Sequence, residues 1–301
     1  MKQKLLILGR SNLKTKNDPE LIGEAFSEHM EVDTADYTDL RFMISNEHTL
    51  VQTKNGVDLK DYNLILFFGW YANAGGVYYK DLAYAAALYA NSKGVSCWNS
   101  EVLHQRSTTK LSAMMKLAIN GVKIPKTWFS VDKEWLATQM NADGASDYVY
   151  KAAATSRGND NFLINPTDSL AKTTSNRMML LQEYVPNNHD LRLICADFKP
   201  IMIIRRSSNN QGHLNNTSQG GLAEVISINE IDQDTLDMAE SAARILEREM
   251  GGVDLVYAEK YKAYICLEVN PVPQLTSGAY IEEKLNRLRQ SVKDSIEKGS
   301  I

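Results

Sequence analysis

The chain has 301 residues, of which 44% are hydrophobic and 23% charged. That length predicts about two domains, with a core that needs no disulfide or metal staple. A net charge of −4, from 33 Lys and Arg against 37 Asp and Glu, excludes a strongly basic nucleic-acid or membrane-surface binder, and the apolar fraction excludes a disordered chain.

No apolar run reaches the roughly 18 residues of a membrane span. The basic start of the chain turns apolar only as far as Leu8, too short for a secretion signal. Cys97, Cys195 and Cys266 are far apart and form no CxxC pair, so they read as buried free thiols. A cytoplasmic chain is expected, with neither nucleic acid nor membrane as a partner.

Residues 5–8 are a short apolar run ended by Gly9, the pattern of a buried parallel strand. A helix is predicted over 19–29, a second buried strand over 64–68, a helix over 80–92 closed by Gly94, and a strand over 95–98. This alternation predicts an open, mostly parallel α/β domain spanning residues 1–99. The texture then changes. A helix over 108–120 ends at Gly121, a strand covers 127–131, and Asp132 caps a helix running to 140. A strand over 147–153, a polar loop over 155–160 and a strand over 162–164 complete a small α+β lobe, residues 100–181. The last part, residues 182–301, is antiparallel. A strand over 178–184 leads into a hairpin of 191–196 and 200–206. A long helix over 231–250 follows, ended by Gly251-Gly252, then a hairpin of 253–258 and 264–269. An amphipathic helix over 279–298 closes the chain.

The second hairpin carries the sharpest chemical signal. Counting back from its turn near 259–262 places Asp254 across from Glu268, within about one residue, and Asn270 shares a face with Glu268. Two adjacent carboxylates repel unless a cation lies between them. Two carboxylates and an amide are hard oxygen ligands that suit Mg²⁺ completed by phosphates. In the first hairpin, Arg192 and Arg205 fall approximately opposite each other, with Arg206 beside them and Asp190 on the face of Arg192. Like charges across a ladder are destabilising, and an anion held between them reverses the sign. Lys151 is a lone Lys in an apolar strand just before the polar loop, a placement that suits a nucleotide's phosphates.

Taken together, Lys151, the segments 182–185 and 190–192, Gly220-Gly221, the run 251–254 and the run 267–271 resemble ATP-grasp carboxylate–amine ligases, most of all the RimK-like branch. The motifs occur in family order over about residues 100–275. The resemblance implies an ATP-grasp fold preceded by a Rossmann-like pre-ATP-grasp domain. It also implies that Lys110 and Lys151 contact the nucleotide, and that the loop from Thr155 to Asn161, with Ser156 and Gly158, closes over the phosphates. Backbone groups of Glu183 and Val185 would read the adenine edge, Asp190 would lie near the ribose, and Asn216 would lie near the nucleotide. Asp254, Glu268 and Asn270 would hold two Mg²⁺, with Mn²⁺ as an alternative ion. Arg192 and Arg206 would steady the transferred phosphoryl group or the acyl phosphate.

The expected reaction is ATP-dependent ligation of a carboxylate donor to an amine acceptor, a small molecule, peptide or protein, by a chain that is a candidate homo-oligomer. Two rivals are a ligase that crosslinks side chains of a precursor peptide and a nucleotide-binding regulatory module without turnover. For the first, Trp70, Tyr71, Tyr78 and Tyr79 read as exposed aromatics for peptide docking. The sequence departs from the branch in two places. The phosphate loop has Gly158 alone, and the segment 214–219 lacks two basic side chains expected near the acyl site, which implies a different carboxylate substrate.

Overall fold

The computed structural model describes residues 2–10, 18–71, 78–104, 109–152, 161–166, 170, 179–207 and 222–298. Three sheets dominate the fold, in chain order.

The first sheet collects β1 (Gln3–Gly9), β2 (Met30–Asp36), β5 (Leu64–Phe67) and β6 (Ser96–Trp98) in the order β2-β1-β5-β6, all parallel. Helices α1 (Pro19–Phe26) and α2 (Tyr79–Ser92) flank it, and β3 (Arg41–Met43) pairs with β4 (Leu50–Gln52) beside it. Asp18 caps α1 by accepting from the backbone N–H groups of Glu20 and Leu21. The expected strands and helices are present. The strand β2 carries no apolar run in the sequence, because it lies at the sheet edge and most of its side chains are not buried.

The second sheet is antiparallel, in the order β7-β10-β8-β9: β7 (Thr127–Phe129), β10 (Met179–Glu183), β8 (Tyr148–Ala152) and β9 (Asn161–Ile164). Helix α4 (Lys133–Asp143) covers it, capped by Asp132 as expected and ended by the left-handed Gly144. Its core, with Leu136, Met140, Tyr148, Tyr150 and Leu181, is its own. Helix α3 (Lys110–Ile119), which precedes this sheet in the chain, packs Ala113, Met114 and Leu117 against the third sheet instead.

The third sheet is also antiparallel, in the order β13-β12-β11-β14-β15: β13 (Leu222–Ile226), β12 (Lys199–Ser207), β11 (His189–Ala196), β14 (Gly251–Ala258) and β15 (Ala263–Asn270). Helix α5 (Gln233–Ile245) lies on one face. It is shorter than the helix expected over 231–250. Glu247 adopts a left-handed φ of 55°. The next two side chains turn inward: Arg248 pairs with Glu101 at 3.1 Å and donates to the Val269 carbonyl, and Glu249 accepts from Ser100. Burial raises the Glu249 pKa even though Ser100 stabilises the charged form.

Helix α6 (Ile281–Glu297) closes the chain. Its Leu288 and Val292 share one core with Leu5 and Leu66 of the first sheet and Ile194 and Ile204 of the third. Cys195 and Cys266 are buried free thiols and Cys97 is partly buried; burial pushes Cys97 and Cys266 up to about 12. Among the described residues, no helix is long and apolar enough to cross a membrane.

Leu288→Ala should cost about 2–5 kcal/mol of stability, the usual range for emptying a fully buried leucine site. Arg287→Ala, one residue away on the exposed face, should stay within about 0.5 kcal/mol. Urea denaturation of both variants checks this.

Candidate active site

The third sheet turns two different faces to its surroundings. One buries Leu191, Leu193, Ile203, Val253 and Leu255 against α3 and α5. The other carries the charges. Residues directly opposite in an antiparallel pair project to the same side. The pairings Asp190–Arg206, Arg192–Asp254 and Asp254–Glu268 therefore draw a line of charge across β12, β11, β14 and β15.

At the centre of the line is Asp254. Arg192 grips its carboxylate with both fork nitrogens, Nε at 2.8 Å and Nη2 at 2.7 Å. Arg206 lies 3.2 Å away, and the Asn270 side chain donates to Oδ2 at 3.1 Å. Arg206 also donates through Nε to Asp190 at 2.6 Å. Burial would push the Asp254 carboxyl up, but the two guanidinium groups outweigh it and hold the group below the usual carboxylate range. Asp190 goes the other way: burial, with the negative charge of Asp254 added, keeps it raised in spite of Arg206. Burial opposes the charge on Arg206, yet Asp254 and Asp190 raise its pKa.

The expected pairing of Arg192 with Arg205 does not occur. Arg205 faces Leu191, and Arg192 faces Ile204. The hairpin turns on Asp197 and Phe198, both left-handed, and carries a bulge between Ile194 and Cys195. These two features set a register one residue from the expected one, so Arg205 projects to the other face and pairs with Glu224 at 3.1 Å. No like-charge pair faces across that ladder, and no anion is needed to relieve one.

The pairing of Asp254 with Glu268 does occur, and a bulge makes it. From Ala258–Ala263 to Leu255–Cys266 the hairpin pairs without interruption; then Leu267 is an extra residue and Asp254 meets Glu268. An unbulged ladder would set Leu267 against Asp254 and turn Glu268 to the apolar side.

One lysine from the preceding segments reaches this carboxylate, and a second lies close enough to feel its charge. Lys110, the first residue of α3, has its Nζ 3.7 Å from Glu268. Lys151 on β8 is buried and donates to Gln182 at 2.6 Å, and Gln182 in turn donates to Thr127. Burial lowers Lys151 to about 8; the nearby Glu268 opposes that shift and Lys110 reinforces it. Beyond the charges, the same face of the third sheet becomes apolar. Val256, Ala258 and Ile265 are buried there, with Val185 and Leu267 packed against them. Glu183 adjoins this patch. Its backbone N–H donates to the Lys126 carbonyl, and its carboxylate pairs with Lys260 at 3.2 Å. The structure thus gathers Lys110, Lys151, Asp190, Arg192, Arg206, Asp254, Glu268 and Asn270, with Glu183 and Val185 alongside. Ser156, Gly158 and Asn216 lie outside the described residues.

A family profile described as the RimK-like ATP-grasp domain matches residues 107–287. The chain belongs to the RimK-like ATP-grasp family. A relative named probable alpha-L-glutamate ligase, from Aeromonas salmonicida (strain A449), is 28% identical over 185 residues, covering 59% of this chain and 60% of that protein. The chain thus spans about three fifths of the length of curated relatives it matches. Two solved structures share the fold over nearly the whole length. One is the ATP-grasp ligase PsnB complexed with minimal precursor, Mg and ADP, with a TM-score of 0.71, 14% identity and coverage of 97% of this chain and 98% of that one. The other is the macrocyclase MdnC bound with precursor peptide MdnA, from Microcystis aeruginosa MRC, with a TM-score of 0.70, 14% identity and coverage of 97% and 100%. The first sheet therefore belongs to the shared ATP-grasp architecture as much as the profile-matched segment does.

The aromatic residues read as exposed for peptide docking are mostly covered. Trp70 is fully buried, and the Tyr71 hydroxyl donates to Glu101 in the interior. Tyr79 packs on Tyr37 and under Arg10, and only Tyr78 is exposed among the described members of the group. A residue that sequence reasoning missed is Lys284, buried at 3% exposure. It stands in the apolar stripe of α6 with Leu285, Leu288 and Val292, and a Lys in such a stripe is the signal that marks it.

Asp254→Asn leaves two buried guanidinium groups short of a counter-charge and should cost about 3–5 kcal/mol. In a double-mutant cycle with Arg192→Met the two losses should fail to add by at least about 1 kcal/mol. Because the Asp254 pKa is depressed by folding, its contribution is present above the unfolded value and disappears as pH falls through the folded one. Urea titrations of the four proteins at neutral and acidic pH measure both effects.

Proposed function

We propose that this chain is an ATP-dependent ligase that joins a carboxylate to an amine through an acyl phosphate, releasing ADP and phosphate. The observation that carries this reading is the convergence of Lys110 and Lys151 on Glu268, beside the Asp254 carboxylate held by Arg192. Cations and carboxylates alternate within one cleft, which is what binding a polyphosphate together with a divalent cation requires. Family membership and the names of the relatives point the same way.

The residues fit a divalent cation by the chemistry of their donors. Asp254, Glu268 and Asn270 are hard oxygen donors on one face, and the two arginines keep Asp254 ionised. Two Mg²⁺ ions are the proposal, with Mn²⁺ as the alternative. When bound, they would neutralise charge developing on the transferred phosphoryl group. The chain's own residues do the rest. Lys110 and Lys151 hold phosphate oxygens by charge. The backbone of Glu183 and Val185, beside the apolar patch of Val256 and Ile265, holds the base; since the Glu183 N–H is already engaged, its carbonyl and the Val185 N–H are the groups assigned to the adenine edge. Asp190 sits near the ribose. Arg192 and Arg206 stabilise the anionic tetrahedral species when the amine attacks. Ser156, Gly158 and Asn216 complete the nucleotide-binding set.

The division at residues 1–99, 100–181 and 182–301 is part of the proposal; the three sheets follow it, except that β10 crosses the second boundary and α3 packs on the third sheet. The acceptor or donor is an amino acid, peptide or protein. The fold shared with a macrocyclase bound to a precursor peptide supports a peptide. A regulatory module without turnover has no use for the complete Asp254, Glu268 and Asn270 set.

An ADP-release assay over candidate carboxylates and amines tests the reaction. Glu268→Gln should lower turnover by about a hundredfold or more while the fold persists. A second test uses pH. Lys151 in the free protein loses its proton near 8, so affinity for ADP with Mg²⁺ should fall above that pH by up to about tenfold per unit. Lys151→Met should bind more weakly at pH 7 and lose the dependence; calorimetric titration reads both.

A further inference from the structure

Behind the charge line lies a small open cavity bounded by Arg192, Arg206, Gln274, Ser277, Gly278 and Lys284. The centres of water-sized groups have about 30 Å³ to occupy, within about 330 Å³ of free space that includes the open mouth. We propose that this cavity is an anion subsite that takes a carboxylate of an acidic acyl donor, with the Lys284 ammonium as the group that reads it. The inference rests on the ligase reading above and names the class of substrate that the same site accepts.

The argument is one of charge and position. Lys284 donates to the carbonyls of Gln274 at 2.8 Å and Ser277 at 2.6 Å. An ammonium has three donors, so one is left. Two carbonyl dipoles orient the group without neutralising it, and among the described residues no carboxylate forms an ion pair with it. Arg192 and Arg206 already share Asp190 and Asp254. Three cations thus border the cavity against two carboxylates, an excess of one positive charge at a buried site. An uncompensated buried charge is costly, and one bound anion removes the cost. A carboxylate brings one negative charge, whereas a phosphate monoester brings nearly two at neutral pH.

Placement supports the same conclusion. Arg192 touches both Asp254 and Gln274, so the cavity adjoins the position assigned to the acyl phosphate. The loop that walls it is fixed. Gln274, Gly278 and Tyr280 have left-handed φ of 61°, 74° and 60°. The Tyr280 hydroxyl donates to the Ala223 carbonyl, and the Thr276 hydroxyl accepts from the Asp18 backbone.

Calorimetric titration of glutarate and of inorganic phosphate into the full chain, with and without ADP and Mg²⁺, tests the assignment. Glutarate should bind the wild type, weaken about tenfold or more with Lys284→Met, and stay within about threefold with Lys284→Arg. The affinity for ADP with Mg²⁺ should be unchanged in both variants. Equal glutarate affinity in wild type and Lys284→Met, or phosphate bound more tightly than glutarate, overturns the proposal. Because Lys284 also ties the loop, a wild-type crystal soaked in glutarate gives an independent reading: a carboxylate within hydrogen-bond reach of Nζ is expected, and a carboxylate bound only elsewhere would falsify it. Absence of ADP binding would sink the ligase reading and still leave the glutarate titration to decide the subsite.

Discussion

Everything at the candidate site hangs on the bidentate grip of Arg192 on Asp254. The pair is partly buried on a sheet face where isolated charges would be expensive. It is tolerable because the neighbours extend it: Asp190 accepts from Arg206, Arg206 reaches Asp254, and Asn270 donates to Asp254 Oδ2. Taking out Arg206 leaves Asp190 without a cation, and taking out Asp254 leaves Arg192 without a carboxylate. The network therefore fixes strand register as well as charge. Slipping β11 against β14 by one residue would put Arg192 among the leucines on the opposite face.

The two hairpins use irregularity to reach this arrangement. In the first, a tight left-handed turn and a bulge bring Asp190 to Arg206 and send Arg205 outward. In the second, the extra residue Leu267 brings Glu268 to the functional face, while Leu267 packs on the apolar patch next to Val185. One inserted residue serves both the charged and the apolar part of the cleft.

Much of this is legible in the amino-acid sequence because it depends on local periodicity. The buried strands of the first sheet and the hairpin of β14 and β15 announce themselves as short apolar runs between turn residues. Asp254 and Glu268 are found by counting from a turn. What is not legible depends on contacts distant in sequence. β2 lacks an apolar run because an edge strand has little to bury. The end of α5 is set by Arg248 meeting Glu101, nearly 150 positions away. Trp70 looks exposed beside glycines, but its ring is covered by packing that no local pattern encodes. Register within a hairpin is the hardest case, since a single bulge moves every partner by one.

The distribution of cores has a further consequence. The first and third sheets share one core through α6, whereas the second sheet keeps its apolar side chains to itself. Hydrophobic burial therefore defines two bodies rather than three. The body built on β8 and β10 is joined to the other by chain connections and by polar ties such as Glu183 to Lys260. Two bodies cored separately melt as separate cooperative units unless something bridges them. A nucleotide held by Lys151 on one side and Glu268 on the other is such a bridge, so its binding energy becomes cohesion between the bodies.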